Sequence, residues 1–227
     1  MTELASAVSA LARNEVARLR TCELGIVRSV FPNQGGERDH ACGVELRDTG
    51  LVLPRVALAV GLTGAASPPR VGDLVVVLFV GGDLHAPLVV GRLYSDQLEP
   101  PEHGPDDHVV RLPAGEPDPA ARLDVLLTAP DAASRALRVT LDGDSPVTLT
   151  LTPGELTAAV GDAELRLRQP AGSPGEATVR VGGNEVTIGG GGDVTLTADK
   201  TLTLKATDIE IQGAASVKVN GQMVEIN

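Results

Sequence analysis

Four histidines are the most versatile reactive groups of the chain: His40, His85, His103 and His108. Acid–base chemistry needs such a ring held beside a carboxylate, and the tightest grouping of that kind is Asp106-Asp107-His108. The triplet lies in DQLEPPEHGPDDHVVRLPAGEPDP, where residues 96–118 carry seven acids against one Arg. Catalytic groups need rigid support and burial to shift their pKa. A stretch so rich in Pro and acid reads instead as a stiff, solvated connector. His40 falls in a polar loop and His85 in a Gly-rich turn. No His-x-x-Glu-His or Cys-x-x-Cys spacing is present, so metal chemistry has no ligand set to build on. A Gly-x-Ser-x-Gly elbow and a phosphate-cradling loop are missing too. The run Gly189-Gly190-Gly191-Gly192-Asp193 resembles half of a calcium-binding nonapeptide repeat, in one copy and with the Asp displaced. Glycines at a chain corner that needs φ > 0 explain it more simply. The sequence thus predicts a protein that is not an enzyme, with no catalytic residue, no metal and no cofactor.

Composition narrows the remaining classes. Among 227 residues there are two Phe, one Tyr and no Trp, against 26 Gly and 16 Pro. A single-strand nucleic-acid binder would want aromatic platforms and a basic groove. The net charge is −11, and all of that excess falls after residue 95, where ten basic residues face 21 acids. Phosphate backbones repel such a surface, so nucleic acid is excluded as a partner. No apolar run is long enough to span a bilayer, and the glycines lack the three-residue period of collagen. Cys22 and Cys42 do not make a disulfide framework in a chain of this size; half-buried thiols on neighbouring strands are expected. The start, MTELASAVSALARNEVARLR, lacks the basic and apolar regions of a secretory signal, which predicts synthesis in the cytosol.

The elements fall into four stretches. Over residues 1–22, Leu4, Val8, Leu11 and Leu19 share one helical face, with Ala12 and Val16 beside it, and predict a short amphipathic helix. Alone in water such a helix is marginal, so it must dock on something. Residues 23–95 show short apolar runs broken by Gly and Pro: ELGIVRSV, ACGVELRD, LVLPRVALAV, DLVVVLFV and PLVVGRLY. Five or six strands in some seventy residues suggest a small Greek-key barrel of the oligonucleotide/oligosaccharide-binding (OB) type. Val75 to Val80 is apolar on both faces, as a fully enclosed strand would be. Residues 96–135 form the connector and first strands, and the sequence then becomes repetitive over 136–227.

In that repeat Val194, Leu202, Ile209, Val217 and Val224 recur every seven or eight residues. Each is followed two positions later by a second apolar residue: Leu196, Leu204, Ile211, Val219 and Ile226. Val186 and Ile188 continue the pattern backward, and looser copies run through Val179/Val181, Leu165/Leu167, Val147/Leu149/Leu151 and Leu137/Val139/Leu141. Such a unit is one short strand and one tight corner. Two inward residues bury too little to stand alone, so copies must stack into a ladder with an apolar column inside. One chain or three could complete each coil. The small, non-aromatic interior suits a thin three-chain prism better. The fold class expected is therefore all-β: an N-terminal helix, an OB-type Greek-key barrel and a C-terminal intertwined trimeric β-helix.

Barrel and repeat, in this order, resemble the central-spike family of contractile tails, the phage baseplate-assembly protein V and VgrG-like spikes. The stretch from Pro68 to Tyr94 carries the resemblance through Pro69, Gly72 and Asp73, then Phe79, Gly82 and Asp83, then Pro87, Val89, Gly91 and Tyr94. The terminal repeat, with its Val-x-Val-Asn-Gly corner, is similar to the β-helix of the spike. The resemblance implies a homotrimer that transmits the thrust of sheath contraction and pierces the target envelope, meeting a membrane only on firing. It implies a hub protein at the barrel end, against the residues Pro69 to Tyr94 just named, and a PAAR-repeat protein capping the C-terminal tip. It places the protein in the baseplate of a phage tail, tailocin or injection particle. The column from Val186 to Ile226 would be the trimer core. The competing expectation is a β-solenoid adhesin or carbohydrate-binding protein, which would need exposed aromatics or paired acids along one ladder.

Overall fold

The computed structural model describes residues 21–34 and 39–225. The helix expected over residues 1–22 lies outside the described residues except at its end, where Cys22 already opens the first strand, and Ile226 lies outside them as well. The chain divides into two compact units between Pro101 and Glu102.

The first unit is a closed barrel. Its strands are β1 (Cys22–Phe31), β2 (Ala41–Leu46), β3 (Val52–Leu58), β4 (Leu74–Phe79) and β5 (Pro87–Leu93), in the order β1-β2-β3-β5-β4. All neighbours are antiparallel except β3 and β5, which run parallel over a short register. This is the expected five-stranded OB arrangement. Alternation builds its core: Val75, Val77 and Phe79 on β4 meet Val27, Val44, Leu46 and Val56, all at 2% exposure or less. Bulges at Val27/Ser29, Cys42/Val44 and Val76/Val77 interrupt the ladders and bend the strands so that so small a sheet can close. Gly25 sits where the walls come closest: a Cβ there would run into the Val44 side chain.

The second unit is one antiparallel sheet of nine strands, taken in chain order: β6 (Asp107–Leu112), β7 (Leu123–Thr128), β8 (Ala136–Leu141), β9 (Val147–Thr152), β10 (Glu155–Val160), β11 (Ala163–Arg168), β12 (Glu176–Val181), β13 (Asn184–Gly189) and β14 (Val194–Thr197). A wound β-helix was expected from residue 136, but through Thr197 each strand folds back onto its predecessor within the chain. The cause is local. Thr152 pairs with Glu155 across Pro153-Gly154, and Val160 pairs with Ala163 across Gly161-Asp162. Gly154 and Gly161 adopt φ of 80° and 57°, the left-handed conformation that lets two residues reverse a strand. Residues 201–225 form no strand, and every one of them is exposed.

Candidate assembly interface

Register sorts the nine-stranded sheet into two unlike faces. Leu137, Val139 and Leu141 of β8 stand opposite Leu151, Leu149 and Val147 of β9. These in turn meet Leu156, Ala158 and Val160 of β10. Carried through β11 and β12, the same side of the ladder reaches Val186 and Ile188, which oppose Leu196 and Val194. At the other end it takes in Val125 and Val110. Apart from His108 and Asn184, this face is aliphatic or Ala on every strand. None of its side chains is buried; Leu112, Ile188 and Val194 are 53%, 52% and 61% exposed. At about 4.8 Å per strand the uncovered stripe is ~40 Å long.

The opposite face carries Thr and charge. Arg180 bonds Glu185 directly across β12 and β13 at 2.6 Å. Glu155 accepts a hydrogen bond from Arg166 at 2.9 Å, with Arg168 at 3.8 Å. Asp124 takes one oxygen to Arg111 at 2.9 Å and the other to Arg122 at 2.8 Å. Desolvation raises the Asp124 pKa, but the two guanidinium hydrogen bonds outweigh it and hold the carboxyl below its ordinary range. The hydrogen bond from Arg166 does the same for Glu155. These pairs satisfy a solvated surface, and the aliphatic face has nothing comparable.

The residues that suggested chemistry are dispersed. Strand alternation puts Asp107 and His108 on opposite faces of β6, so the triplet does not converge. The Asp107 carboxylate is instead held below its normal pKa by hydrogen bonds from Thr128 and the Gly104 amide. The glycine run at 189–192 is the reversal between β13 and β14. Among the described residues, no three His, Cys, Asp or Glu side chains gather as a metal site requires. Cys22 is exposed, while burial pushes the Cys42 thiol up to about 11.

The barrel stretch serves several ends. Phe79 fills the core. The Gly72 amide donates to Val27 O at 2.9 Å, and the Val27 amide donates to Asp73 O at 3.0 Å, which ties the turn before β4 to β1. Gly82 lies in the tight turn after β4, and Asp83 Oδ1 accepts from the His85 amide at 2.8 Å. Pro87 opens β5 opposite Phe79. Pro69 and Gly91 line one groove with His40, Ser67 and Arg92, whose guanidinium reaches Ser67 at 2.8 Å. Tyr94, 55% exposed, presents its ring outward.

Residues 47–94, which span β3 to β5 and the whole stretch from Pro69 to Tyr94, match the type VI secretion system/phage-baseplate injector OB domain. This part of the barrel is similar to a baseplate injector OB domain. The match ends where β5 gives way to the connector, so the nine-stranded sheet lies beyond the injector domain. No curated protein matches the chain.

Of the column expected to form the trimer core, Val186, Ile188, Val194 and Leu196 share the aliphatic face of the sheet. Leu202, Leu204, Ile209, Ile211, Val217, Val219 and Val224 fall in the strandless residues and are all exposed. Sequence reasoning placed first strands within 96–135 but did not name their residues. Val110 and Leu112 lie in the stretch read as connector, and Leu123, Val125 and Leu127 were passed over, although LDVLLT carries the period-2 signal.

Proposed function

We propose that this chain is the central spike of a contractile injection machine, acting as a homotrimer. The injector OB domain supports a structural role in a phage or type VI baseplate. The observation that carries the finer reading is the aliphatic face of the nine-stranded sheet, some 40 Å long and bare in a single chain. Three copies set around an axis bury all three faces in one dry core and leave the Thr- and charge-rich faces to water. Residues 201–225 keep the same apolar alternation without strand partners in their own chain. Buried backbone groups need hydrogen-bond partners, and neighbouring copies winding round each other provide them. The resulting prism resists axial load, because buckling it requires many ladder bonds to break together.

In this role the barrel docks on the hub, with Pro69 and exposed Tyr94 as the contact candidates. A PAAR-type protein closes the tip beyond Val224. The spike passes sheath thrust to the target envelope and catalyses nothing. The protein is resident in the particle and meets a membrane only on firing. Light scattering on the purified chain, before and after removal of residues 136–227, tests the assembly. Three copies that fall to one on truncation are expected. A single-copy full chain, or a two-copy sandwich, would overturn the three-fold spike.

A further inference from the structure

We propose that the outer face of the barrel made by β1, β4 and β5 is the docking site for residues 1–20 of this chain, whose apolar stripe of Leu4, Val8, Leu11 and Leu19 covers it. Because Val75, Val77 and Phe79 point into the core, their alternates Leu74, Val76 and Leu78 point outward. On β1 these face Ile26, Leu24 and Cys22 respectively, and on β5 they face Leu93, Gly91 and Leu88. The result is a three-by-three grid without a charged residue. Elsewhere the barrel exterior mixes apolar residues such as Val52 with charge: Arg28 pairs with Glu45 at 2.8 Å, and Arg55 with Asp39 at 2.6 Å. Strands that meet water on one face normally alternate apolar and polar residues, so an outer face of this composition calls for a cover.

Gly91 makes the case more specific. Its φ is not in the left-handed region, and a Cβ added there would meet nothing within 4 Å. Neither the backbone nor the barrel packing therefore requires glycine at 91. Glycine weakens a strand, and where it persists it often marks the close approach of another group. At 91 it leaves a dent in the middle row of the grid, beside Val76 and Leu24.

Chain continuity selects the occupant. Thr21 O accepts from the Phe79 amide at 3.2 Å, and Cys22 pairs with Leu78, so residues 1–20 join the barrel at one end of this grid. The grid measures ~13 Å along the strands and ~10 Å across them. A helix is ~10 Å wide, and seven residues of one, the spacing from Leu4 to Leu11, would span ~10 Å. The inference does not depend on how many copies the sheet gathers.

The test uses the full chain with Cys22→Ser, Leu11→Cys and Val76→Cys, oxidised mildly and mapped by mass spectrometry. A disulfide between positions 11 and 76 is expected, within one chain or between two copies. Arg13→Cys in place of Leu11→Cys, on the polar side of the stripe, should not link. Adding Gly91→Leu should reduce the linkage while leaving the unfolding transition of the barrel unchanged. No linkage at position 11, linkage equal to that at 13, or indifference to Gly91→Leu would each overturn the assignment.

Discussion

Leu149 and Thr150 are neighbours on β9 with opposite duties. Leu149 lies between Val139 and Ala158 on the aliphatic face, whereas Thr150 lies between Arg138 and Thr157 on the polar one. Leu149→Asp should abolish assembly, because an unpaired carboxylate in a dry core costs several kcal/mol. Thr150→Asp should shift stability by no more than about 0.5 kcal/mol, and sedimentation of the two variants separates them. In the barrel, Phe79→Ala should cost about 3–5 kcal/mol in a denaturant titration, since the ring is buried among aliphatic side chains. Asp124 makes stability depend on pH. Its folded pKa lies below the ordinary carboxylate value of about 3.9, so its contribution is complete above that value and is lost as pH falls through the folded pKa. Asp124→Asn should flatten the acid limb of a plot of urea midpoint against pH. The partly exposed pair limits the effect to about 1 kcal/mol.

At the scale of the elements, turn chemistry rather than strand pattern decides how the second unit folds. Apolar alternation predicts a strand with one greasy side, but the same Leu-x-Leu serves an antiparallel hairpin and a wound coil equally well. The reversals at Pro153-Gly154 and Gly161-Asp162 select the hairpin, and that selection depends on backbone angles that hydrophobic periodicity does not encode. After Thr197 the units continue with the same apolar spacing but without intrachain pairing. Gly154→Val forces a β-branched residue into φ near 80°, with its Cβ only 2.8 Å from Gln169 O. It should lower the melting midpoint of the sheet while leaving the barrel transition in place, as read by calorimetry. The barrel was the more legible half, because five short runs and their Gly–Pro breaks map almost one to one onto β1–β5. The β6–β7 hairpin was hidden by the acids and prolines around it, which supply a connector's composition to residues that pair as strands.

For the whole molecule, the account rests on the aliphatic faces of separate copies meeting around a common axis. The sequence reading drew on both halves, but only residues 47–94 of the barrel match the injector family. The assembly must therefore be tested on the sheet itself. A spin label at position 139, introduced by Val139→Cys in a full chain carrying Cys22→Ser, sits mid-strand on that face, and buried Cys42 stays unlabelled. Pulsed dipolar spectroscopy should give an immobilised label with one short distance and the modulation depth of three coupled spins. A mobile label with no dipolar coupling would mean that the face stays bare in solution, and would contradict the spike.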